Sequence, residues 1–442
     1  MKPSRYNLFV DSSNGSKLLF NSATAALAEI ESEKIDLVTK LLNGHGSPQS
    51  EEEKQIYGYL IEGGYLVKDD LDELAALKAE CARMRYDRTI FLLTIAPTLA
   101  CNFRCDYCFE SHRGGRMSEE TEKALLRFSD ERVKDADKLY ITWFGGEPTL
   151  CLDSIERLQA GFGELTRKYE TEFQPSTIIT NGYLLDGRNA LRLKNAGIRA
   201  AQVTLDGPPR IHDARRKLPG GSGTFDRIVE NLAEASDILS ITIRINVDRN
   251  NQGLANEVLE ILEKRGTLDK VRVYFAQVNS AAGVCADMND KCLSTEEFSL
   301  SQVEMYRRLI DNGIYQIEYP SLSAGGHCGA DTENSFVVAP DGTLYKCWEE
   351  IAEAKEHSVG SILMGVPKDH QKVNLDRYLS FNPFDKEECP ECNMLPICMG
   401  GCPHHDIRDG NKARGACVSW KYNLREMLAL RHLCELRKEV KA

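Results

Sequence analysis

The chain has 442 residues, which favours about two to four folding units. Its shares of hydrophobic residues, 42%, and charged residues, 28%, match globular proteins and exclude a disordered or collagen-like chain. A net charge of −12 argues against binding a nucleic-acid backbone as the main activity. We expect a cytoplasmic protein, since no apolar segment reaches the roughly 20 residues of a membrane span and the polar N-terminus lacks a secretory signal.

Residues 1–88 predict a small α/β unit. Two apolar strands flank Asn14-Gly15, a dipeptide suited to a tight hairpin turn. Helical spacing follows, and Gly63-Gly64 ends the last helical segment. The predicted helices are Ala23 to Lys34, Ile35 to Leu42 and Glu51 to Glu62. A hairpin with three helices suggests a winged-helix-like unit, but 11 basic against 15 acidic residues argue against DNA binding.

Residues 89–279 alternate strand and helix. Each of the first five strands precedes a helical pattern, which predicts a parallel sheet in a barrel-like or doubly wound α/β domain. Reactive groups then belong on the loops at the carboxyl ends of the strands. The predicted strands are Phe91 to Thr98, Leu139 to Phe144, Ser176 to Thr180, Ala201 to Leu205, Ser240 to Val247 and Val271 to Val278.

Residues 280–442 contain most of the fifteen cysteines and little regular periodicity. A segment of this kind buries little apolar surface, so we expect metal ligands to cross-link it. A reducing cytosol disfavours structural disulfides, which leaves metal or redox chemistry as the better hypothesis for the cysteines.

The first cysteine motif, Cys101-Asn-Phe-Arg-Cys105-Asp-Tyr-Cys108, directly follows the first barrel strand. Three thiolates on one short loop can hold three irons of a cubane cluster and leave the fourth iron open. The alternative is a zinc site completed by His112, although zinc ribbons prefer paired C-x2-C motifs.

This motif resembles that of the radical SAM superfamily, in which Tyr107 fills the aromatic position. The resemblance implies a partial (β/α)6 barrel that binds a [4Fe–4S] cluster and S-adenosylmethionine. It places Gly145, Gly146 and Glu147 at the amino group of S-adenosylmethionine, Asn181 in the cofactor cleft, Thr204 at the ribose and Arg216 at the carboxylate. Arg215 or Lys217 could replace Arg216, and Asp206 could be a turn residue. Arg244 and Asn246 also match segments that line the cleft.

A second cysteine system begins with C-x13-G-x4-C from Cys328 to Cys347 and continues with Cys389-x2-Cys392-x5-Cys398-x3-Cys402 and Cys417. This spacing resembles that of the SPASM extension of radical SAM peptide-modifying enzymes, which typically carries two auxiliary clusters. The resemblance assigns one cluster to Cys328, Cys347 and Cys402, and the other to Cys389, Cys392, Cys398 and Cys417. Cys285, Cys292 or His327 could supply a fourth ligand to the first of these clusters, or the position could stay open for a substrate thiolate or a backbone group. The alternative for the whole region is a zinc-binding scaffold. Of the remaining cysteines, Cys81 and Cys434 are interpreted as buried apolar residues.

The predicted activity is therefore that of an oxidoreductase which cleaves S-adenosylmethionine to a 5'-deoxyadenosyl radical with three [4Fe–4S] clusters. By resemblance, residues 1–88 form a PqqD-like unit that binds the leader of a ribosomally made precursor peptide, and truncation of this unit should leave the clusters in place. Thioether formation is the expected reaction, with carbon–carbon cross-linking second and flavodoxin or ferredoxin as the electron donor. The alternatives are an anaerobic sulfatase-maturating enzyme, which forms formylglycine, and a non-enzymatic metal-binding scaffold.

Overall fold

The computed structural model describes residues 1–12, 15–44, 48–108, 115–278, 291–315, 317–318, 328–351, 355–409 and 417–441. Four residues that the sequence analysis singled out, Asn14, His112, Cys285 and His327, lie outside these ranges. The described residues form two compact units. One comprises Met1–Arg85, Tyr306–His327 and Asn382–Ala442, and the other comprises Tyr86–Met305 and Cys328–Phe381.

The strands of the described residues are β1 (Lys2–Pro3), β2 (Asn7–Asp11), β3 (Lys17–Asn21), β4 (Ala26–Ile30), β5 (Leu66–Val67), β6 (Ile90–Ile95), β7 (Arg104–Cys105), β8 (Lys138–Trp143), β9 (Glu172–Phe173), β10 (Ser176–Thr180), β11 (Ile198–Leu205), β12 (Arg216–Lys217), β13 (Ser240–Val247), β14 (Val271–Gln277), β15 (Ser335–Val338), β16 (Thr343–Tyr345) and β17 (Gly360–Ser361).

The helices of the described residues are α1 (Ile35–Leu42), α2 (Glu51–Glu62), α3 (Glu73–Arg85), α4 (Glu119–Val133), α5 (Leu152–Tyr169), α6 (Gly187–Asn195), α7 (Pro209–Arg215), α8 (Phe225–Ala235), α9 (Ala255–Lys264), α10 (Thr295–Asp311), α11 (Asp369–Leu379), α12 (Leu395–Cys398), α13 (Pro403–Asp409) and α14 (Trp420–Lys441).

The second unit is built on a parallel sheet whose strands follow the order of the chain, β6-β8-β10-β11-β13-β14. Every neighbouring pair in this series is parallel. The six predicted strands are confirmed, with ends that differ by three residues or fewer. A doubly wound sheet reverses its strand order at a switch point, whereas this order does not reverse, so the barrel-like alternative is the one observed.

The same sheet continues beyond β6 into the part of the chain that carries Cys328 and Cys347. Strand β15 pairs in parallel with β6, and β16 and β17 then add antiparallel strands. Val338 and Tyr345 are buried on these strands. This segment is therefore hydrogen-bonded to the barrel sheet of its own unit.

The N-terminal part of the first unit has an antiparallel sheet in the order β2-β3-β4 and the helices α1, α2 and α3. The predicted hairpin strands are confirmed, as are the helices Ile35–Leu42 and Glu51–Glu62. The predicted helix from Ala23 to Lys34 is wrong, because Ala26–Ile30 forms β4 and pairs with β3 along its whole length. The winged-helix identity of this unit stays a prediction.

Both faces of this small sheet are covered. On one face, Leu19 packs with Leu41 of α1 and Leu60 of α2. On the other, Leu18 and Phe20 pack with residues from the C-terminal segment of the same unit, namely Met394, Leu424 and Leu428. The N-terminal residues therefore share a hydrophobic core with the cysteine-rich C-terminal residues.

Among the described residues, no helix combines the length and the apolar composition that crossing a membrane requires.

Candidate active site

The loop that carries Cys101, Cys105 and Cys108 follows β6, at the carboxyl edge of the parallel sheet. It is held in place by a short antiparallel pair in which Cys105 lies opposite Arg216. The backbone amide of Asp106 also donates to the carbonyl of Arg215, at 3.3 Å. This pairing brings the predicted cofactor residue Arg216 to the cysteine loop, although more than a hundred residues separate the two in sequence.

The thiol of Cys101 lies among hydrogen-bond donors. The backbone amide of Phe103 donates to its Sγ at 3.4 Å, and Asn181 Nδ2 lies 3.8 Å from the same sulfur. Asn181 Nδ2 also donates to Asn102 Oδ1 at 2.8 Å. Burial raises the pKa of the Cys101 thiol to about 12, and the charges of Glu147, Cys105 and Cys108 act in the same direction. A metal that binds here must therefore displace the proton of a buried thiol.

Gly145 and Gly146 lie against the chain that leads into Cys101. The amide of Gly146 donates to the carbonyl of Thr98 at 3.1 Å, and the amide of Glu147 donates to the carbonyl of Ala100 at 2.9 Å. A Cβ on Gly146 would come within 2.4 Å of the Ala100 carbonyl oxygen, and Gly145 has a φ of +112°. These glycines allow two backbone segments to approach more closely than side chains would permit.

The carboxylate of Glu147 is fully buried and acts as an acceptor inside the fold. Its Oε1 accepts from the amide and hydroxyl of Thr149, at 3.0 and 2.5 Å, and from the hydroxyl of Thr180, at 2.7 Å. Its Oε2 accepts from the amide of Asn181, at 2.7 Å. Burial raises the pKa of Glu147, and these hydrogen bonds oppose that shift. The predicted contact of Glu147 with a cofactor ammonium group stays a prediction, whereas its part in fixing the strand-end loops is direct.

Tyr107, Asp206 and Arg216 form a buried hydrogen-bonded group beside the cysteine loop. The Tyr107 hydroxyl donates to Asp206 Oδ2 at 2.5 Å, and Arg216 Nη1 donates to the Tyr107 oxygen at 2.8 Å. Asn246 Nδ2 lies 3.3 Å from Asp206 Oδ1, and Asn246 Oδ1 accepts from Arg244 Nε at 2.8 Å. Asp206 is therefore a buried member of the site rather than a surface turn residue. Burial raises the pKa of Tyr107 well above its ordinary value, so the phenol keeps its proton.

The structure distinguishes Arg216 from its two basic neighbours. Arg215 is already paired with the buried carboxylate of Asp248, at 2.8 and 2.9 Å, and Lys217 pairs with Asp106 at 3.1 Å. Arg216 is 92% buried, and its Nε has no hydrogen-bond partner among the described residues. An unsatisfied buried guanidinium nitrogen needs an acceptor, which fits the predicted role of Arg216 toward a ligand carboxylate. Thr204 is buried near the end of β11 and lies opposite Arg244 in the sheet register.

His212 is a site residue that the sequence analysis did not identify. Its Nδ1 accepts from the amide of Asp206 at 3.3 Å, so its Nε2 carries the proton and donates to the Thr224 hydroxyl at 3.1 Å. That hydroxyl donates in turn to the carbonyl of Arg216 at 2.5 Å. Burial lowers the pKa of His212 well below 6.5, which keeps the ring neutral. A fully buried chain of hydrogen bonds therefore connects Asp206 with the backbone of Arg216.

Four cysteines of the second system lie near one another in the first unit. Burial raises the pKa of Cys389, and the charges of Cys398, Cys417 and Cys392 raise it further, while Lys386 lowers it. Burial likewise raises the pKa of Cys417, and the charges of Cys398 and Cys392 add to the shift. This proximity agrees with the set of four cysteines that the resemblance implied.

Cys328 and Cys347 lie in the same unit as the barrel and are connected through Lys346. Its buried Nζ donates to the carbonyls of Thr332 and Ser335, at 2.5 and 2.6 Å, and so ties the turn after Cys328 to the residue before Cys347. Burial lowers the pKa of Lys346 to about 7.

An aromatic pair extends this connection toward the barrel. Trp348, the residue after Cys347, stacks on Phe144, the residue before Gly145, with ring centroids 5.8 Å apart. Cys402 belongs to the other unit, so its grouping with Cys328 and Cys347 stays a prediction.

The remaining cysteines agree in part with the predictions. Cys81 and Cys434 are buried, as expected of apolar positions, and Cys151 is buried as well. Burial raises the pKa of the Cys292 thiol. The nearby charge of Asp248 raises this pKa further, and that of Arg249 lowers it. Its role as a further cluster ligand stays a prediction.

The cysteines of the two systems have the chemistry of iron–sulfur ligands, although their thiols are not positioned around a metal ion in this structure. Within the described ranges, no three His, Cys, Asp or Glu side chains converge closely enough to hold a metal ion as they stand. Nevertheless, the thiols of the first motif are near enough for their charges to act on one another, and Cys101 Sγ accepts N–H donors as cluster sulfurs do. Together with the unsatisfied Nε of Arg216, this chemistry fits a cluster with an adjacent carboxylate-bearing ligand.

Comparison with known proteins identifies the central part of the chain. The Radical SAM superfamily matches residues 95–252. A probable GTP 3',8-cyclase of Saccharolobus solfataricus is 30% identical over 185 residues, which are 41% of this chain and 56% of that protein. The chain thus spans little more than half the length of this relative. A GTP 3',8-cyclase of Xanthomonas campestris is 28% identical over 301 residues, which are 62% of this chain and 83% of that protein.

Two solved structures share the fold over most of the chain. Native anSMEcpe with bound AdoMet and Cp18Cys peptide has a TM-score of 0.58 and 20% identity, and the match covers 78% of this chain and 99% of that one. SuiB of Streptococcus suis bound to precursor peptide SuiA has a TM-score of 0.52 and 15% identity, with coverage of 94% and 98%. At these identities the likeness concerns the fold alone.

Proposed function

This chain is an enzyme with a radical SAM domain at residues 95–252, and on that premise we propose that it modifies a ribosomally made precursor peptide by installing a thioether or carbon–carbon cross-link. The observation that carries the proposal is the composition of its first unit. There, an antiparallel sheet with an edge strand, Ala26–Ile30, shares a core with the segment that holds Cys389 and Cys392. A sheet with an edge strand and the cysteines Cys389 and Cys392 thus occur in one unit of a radical SAM enzyme.

The edge strand β4 is the proposed place for the leader of the peptide. An extended peptide can add to a sheet edge through its main-chain groups. On the opposite edge strand, β2, the carbonyl of Phe9 already accepts from Arg425 Nη1, at 2.6 Å. This occupied acceptor favours β4 over β2 for strand addition. The solved likeness to SuiB, which was crystallised with its precursor peptide SuiA, supports the same class of substrate.

The residues of the barrel edge have defined roles in this proposal. Cys101, Cys105 and Cys108 hold the first cluster, and Arg216 binds the carboxylate of S-adenosylmethionine through its free Nε. Gly145 and Gly146 keep the loop close to Cys101, so that the amino group of S-adenosylmethionine can lie against this loop and Glu147. Asn181 and Thr204 line the cofactor cleft, and the protonated Tyr107 keeps Arg216 oriented.

The iron–sulfur clusters would supply the electron that cleaves S-adenosylmethionine to methionine and a 5'-deoxyadenosyl radical. They would also accept the electron that is left after the cross-link forms in the peptide. We propose that Cys328 and Cys347 contribute to one auxiliary cluster, and that Cys389, Cys392, Cys398 and Cys417 hold the other. The electron donor is a flavodoxin or ferredoxin, and the enzyme works in the cytoplasm.

Mass spectrometry of candidate peptides tests this function. Short peptides encoded beside the gene are incubated anaerobically with the iron-loaded enzyme, S-adenosylmethionine and dithionite. A thioether or carbon–carbon cross-link removes two hydrogen atoms and keeps every sulfur, and a thioether also removes one alkylatable thiol. The same peptide without its leader serves as the control and should be modified poorly.

Two other results would overturn the proposal in different ways. A product that loses the cysteine sulfur and gains an oxygen indicates formylglycine and a sulfatase-maturating enzyme. Consumption of GTP, with no peptide modified, indicates a cyclase of the kind to which the central domain is similar in sequence.

A further inference from the structure

The segment from Cys389 to Met399 is enclosed by residues of the N-terminal part of the same unit. On one side, Cys392 and Met394 pack with Val10, Leu18 and Phe20 of the small sheet. On the other side, Cys389 and Met399 belong to a cluster with Cys81 and two leucines of α3, Leu74 and Leu77. The segment that carries three cysteines is thus wedged between the first sheet of the chain and helix α3.

Two side chains of the N-terminal part also bind the backbone of this segment on either side of Cys392. Arg5 Nη2 donates to the carbonyl of Pro390 at 2.6 Å and pairs with Glu391 at 3.2 Å. The Ser22 hydroxyl donates to the carbonyl of Asn393. Cys392 therefore sits between two backbone groups that residues near the N-terminus hold.

Strand β3 explains why these parts are inseparable. All of Leu18, Leu19 and Phe20 are fully buried, although successive side chains of a strand point to opposite faces. One face needs the helices α1 and α2, and the other needs Met394, Leu424 and Leu428. Removal of residues 1–85 would expose this second apolar face together with the side chains around Cys389. The expectation that the N-terminal unit can be removed with the clusters intact stays a prediction, and this shared core argues against it.

We infer that Arg5 and Ser22 are positioning residues that fix the Cys389–Cys392 loop, so that the peptide-recognition sheet and the second cysteine group form one mechanical element. The inference rests on the proposed function where it calls the sheet a peptide-recognition sheet and this group an auxiliary cluster site. A peptide strand that adds to the sheet would then change the position of Cys389 and Cys392 through the hydrogen bonds of Arg5 to Pro390 and of Ser22 to Asn393. No contact with the other unit is required.

Hydrogen–deuterium exchange of the full-length protein tests the positioning directly, with or without bound iron. The amides of Leu395 and Met399 donate within the segment, to the carbonyls of Cys392 and Leu395, so their exchange reports local opening. The variant R5Q/S22A loses the two hydrogen bonds to the loop. We expect exchange of peptides that cover 392–399 to accelerate by at least about fivefold, because each lost hydrogen bond makes opening more favourable.

The control variant is R425Q/T24A, which removes an arginine-to-carbonyl and a hydroxyl-to-carbonyl bond elsewhere in the unit, to Phe9 and Gly63. Exchange of 392–399 in this control should stay near the wild-type rate. Equal rates in the two variants would overturn the inference. Arg5 is partly exposed and its partner Glu391 is largely exposed, so R5Q alone should fold and serves as the second variant.

A spectroscopic readout separates positioning from general stability and from the proposed function. In protein that lacks Cys101, Cys105 and Cys108, any remaining iron belongs to the second cysteine system. R5Q/S22A should change the electron paramagnetic resonance spectrum of that iron, and R425Q/T24A should not. A spectrum that is the same in both variants contradicts the positioning role, whereas an absence of iron from the parent contradicts the proposed function and leaves the exchange result to decide the inference.

Discussion

Replacing Gly146 with alanine should separate the barrel loops at the cofactor site. An ideal Cβ at Gly146 lies 2.4 Å from the carbonyl oxygen of Ala100 and 2.5 Å from that of Leu99, whereas real Cβ atoms keep at least 3.0 Å from such neighbours. Both obstacles are backbone atoms, which no side-chain rotation can move. The chain that leads into Cys101 must therefore shift by more than half an ångström.

The cost follows from the contacts that this shift breaks. Overpacking a closely packed site costs about 1 to 3 kcal/mol. Loss of the hydrogen bond from the amide of Glu147 to the carbonyl of Ala100 adds about 1 kcal/mol. Because misplacement of reacting groups by about 1 Å can lower a rate by about a hundredfold, we expect a loss of that size in 5'-deoxyadenosine formation.

The assay measures 5'-deoxyadenosine by chromatography under anaerobic conditions, together with iron per chain and Tm. The matched control is Gly163→Ala in α5, where a Cβ meets its nearest neighbour, Arg167 Nη1, at an ordinary 3.4 Å. That variant should keep wild-type activity. If Gly146→Ala retains activity within about twofold of this control, the close approach of the two backbones does not position the cysteine loop.

Three further changes probe the same site. Arg216→Lys loses the planar group that bonds Tyr107 and should raise the KM for S-adenosylmethionine about tenfold, while Lys217→Ala should leave it unchanged; equal effects would contradict the assignment. Asn181→Ala removes an N–H donor from Cys101 Sγ and should make the midpoint potential of the first cluster more negative in a redox titration, so an unchanged potential would contradict this role. Because the pKa of His212 is lowered in the folded protein, the unfolded chain takes up this proton at a higher pH than the folded chain does. The stability that the neutral ring provides is therefore fully present above about pH 6.5 and is lost as the pH falls below that value. His212→Phe should therefore flatten the decline of Tm between about pH 6.5 and 5, and an unaltered decline would show that another group causes it.

The barrel strands could be predicted because their residues are apolar and β-branched and lie between clear helical patterns. Ser176–Thr180 and Ser240–Val247 have the bounds that the pattern indicated. Strand β4 could not be predicted in this way, since Ala26, Ala28 and Glu29 favour helices in isolation. Pairing with the buried strand β3 overrides that preference.

At the site, the resemblance implied a basic residue in the cofactor cleft but left open whether Arg215, Arg216 or Lys217 serves there. Only the strand register could decide this, because it places Arg216 opposite Cys105 while Arg215 turns to Asp248. The buried chain through His212 and Thr224 was missed, since a single histidine in the short helix α7 gives no pattern that marks a site. The shared core of the two ends of the chain had one indication in the sequence, the uninterrupted apolar run Leu18–Leu19–Phe20, which indicates a strand that is buried on both faces.

The proposed chemistry depends most directly on Cys101, Cys105 and Cys108 holding the cluster that cleaves S-adenosylmethionine. Replacement of all three by alanine tests this claim, with iron analysis and anaerobic measurement of 5'-deoxyadenosine on the same sample. We expect the variant to form no 5'-deoxyadenosine and still to retain iron at the second cysteine system. Formation of 5'-deoxyadenosine by the variant at the wild-type rate would contradict this expectation.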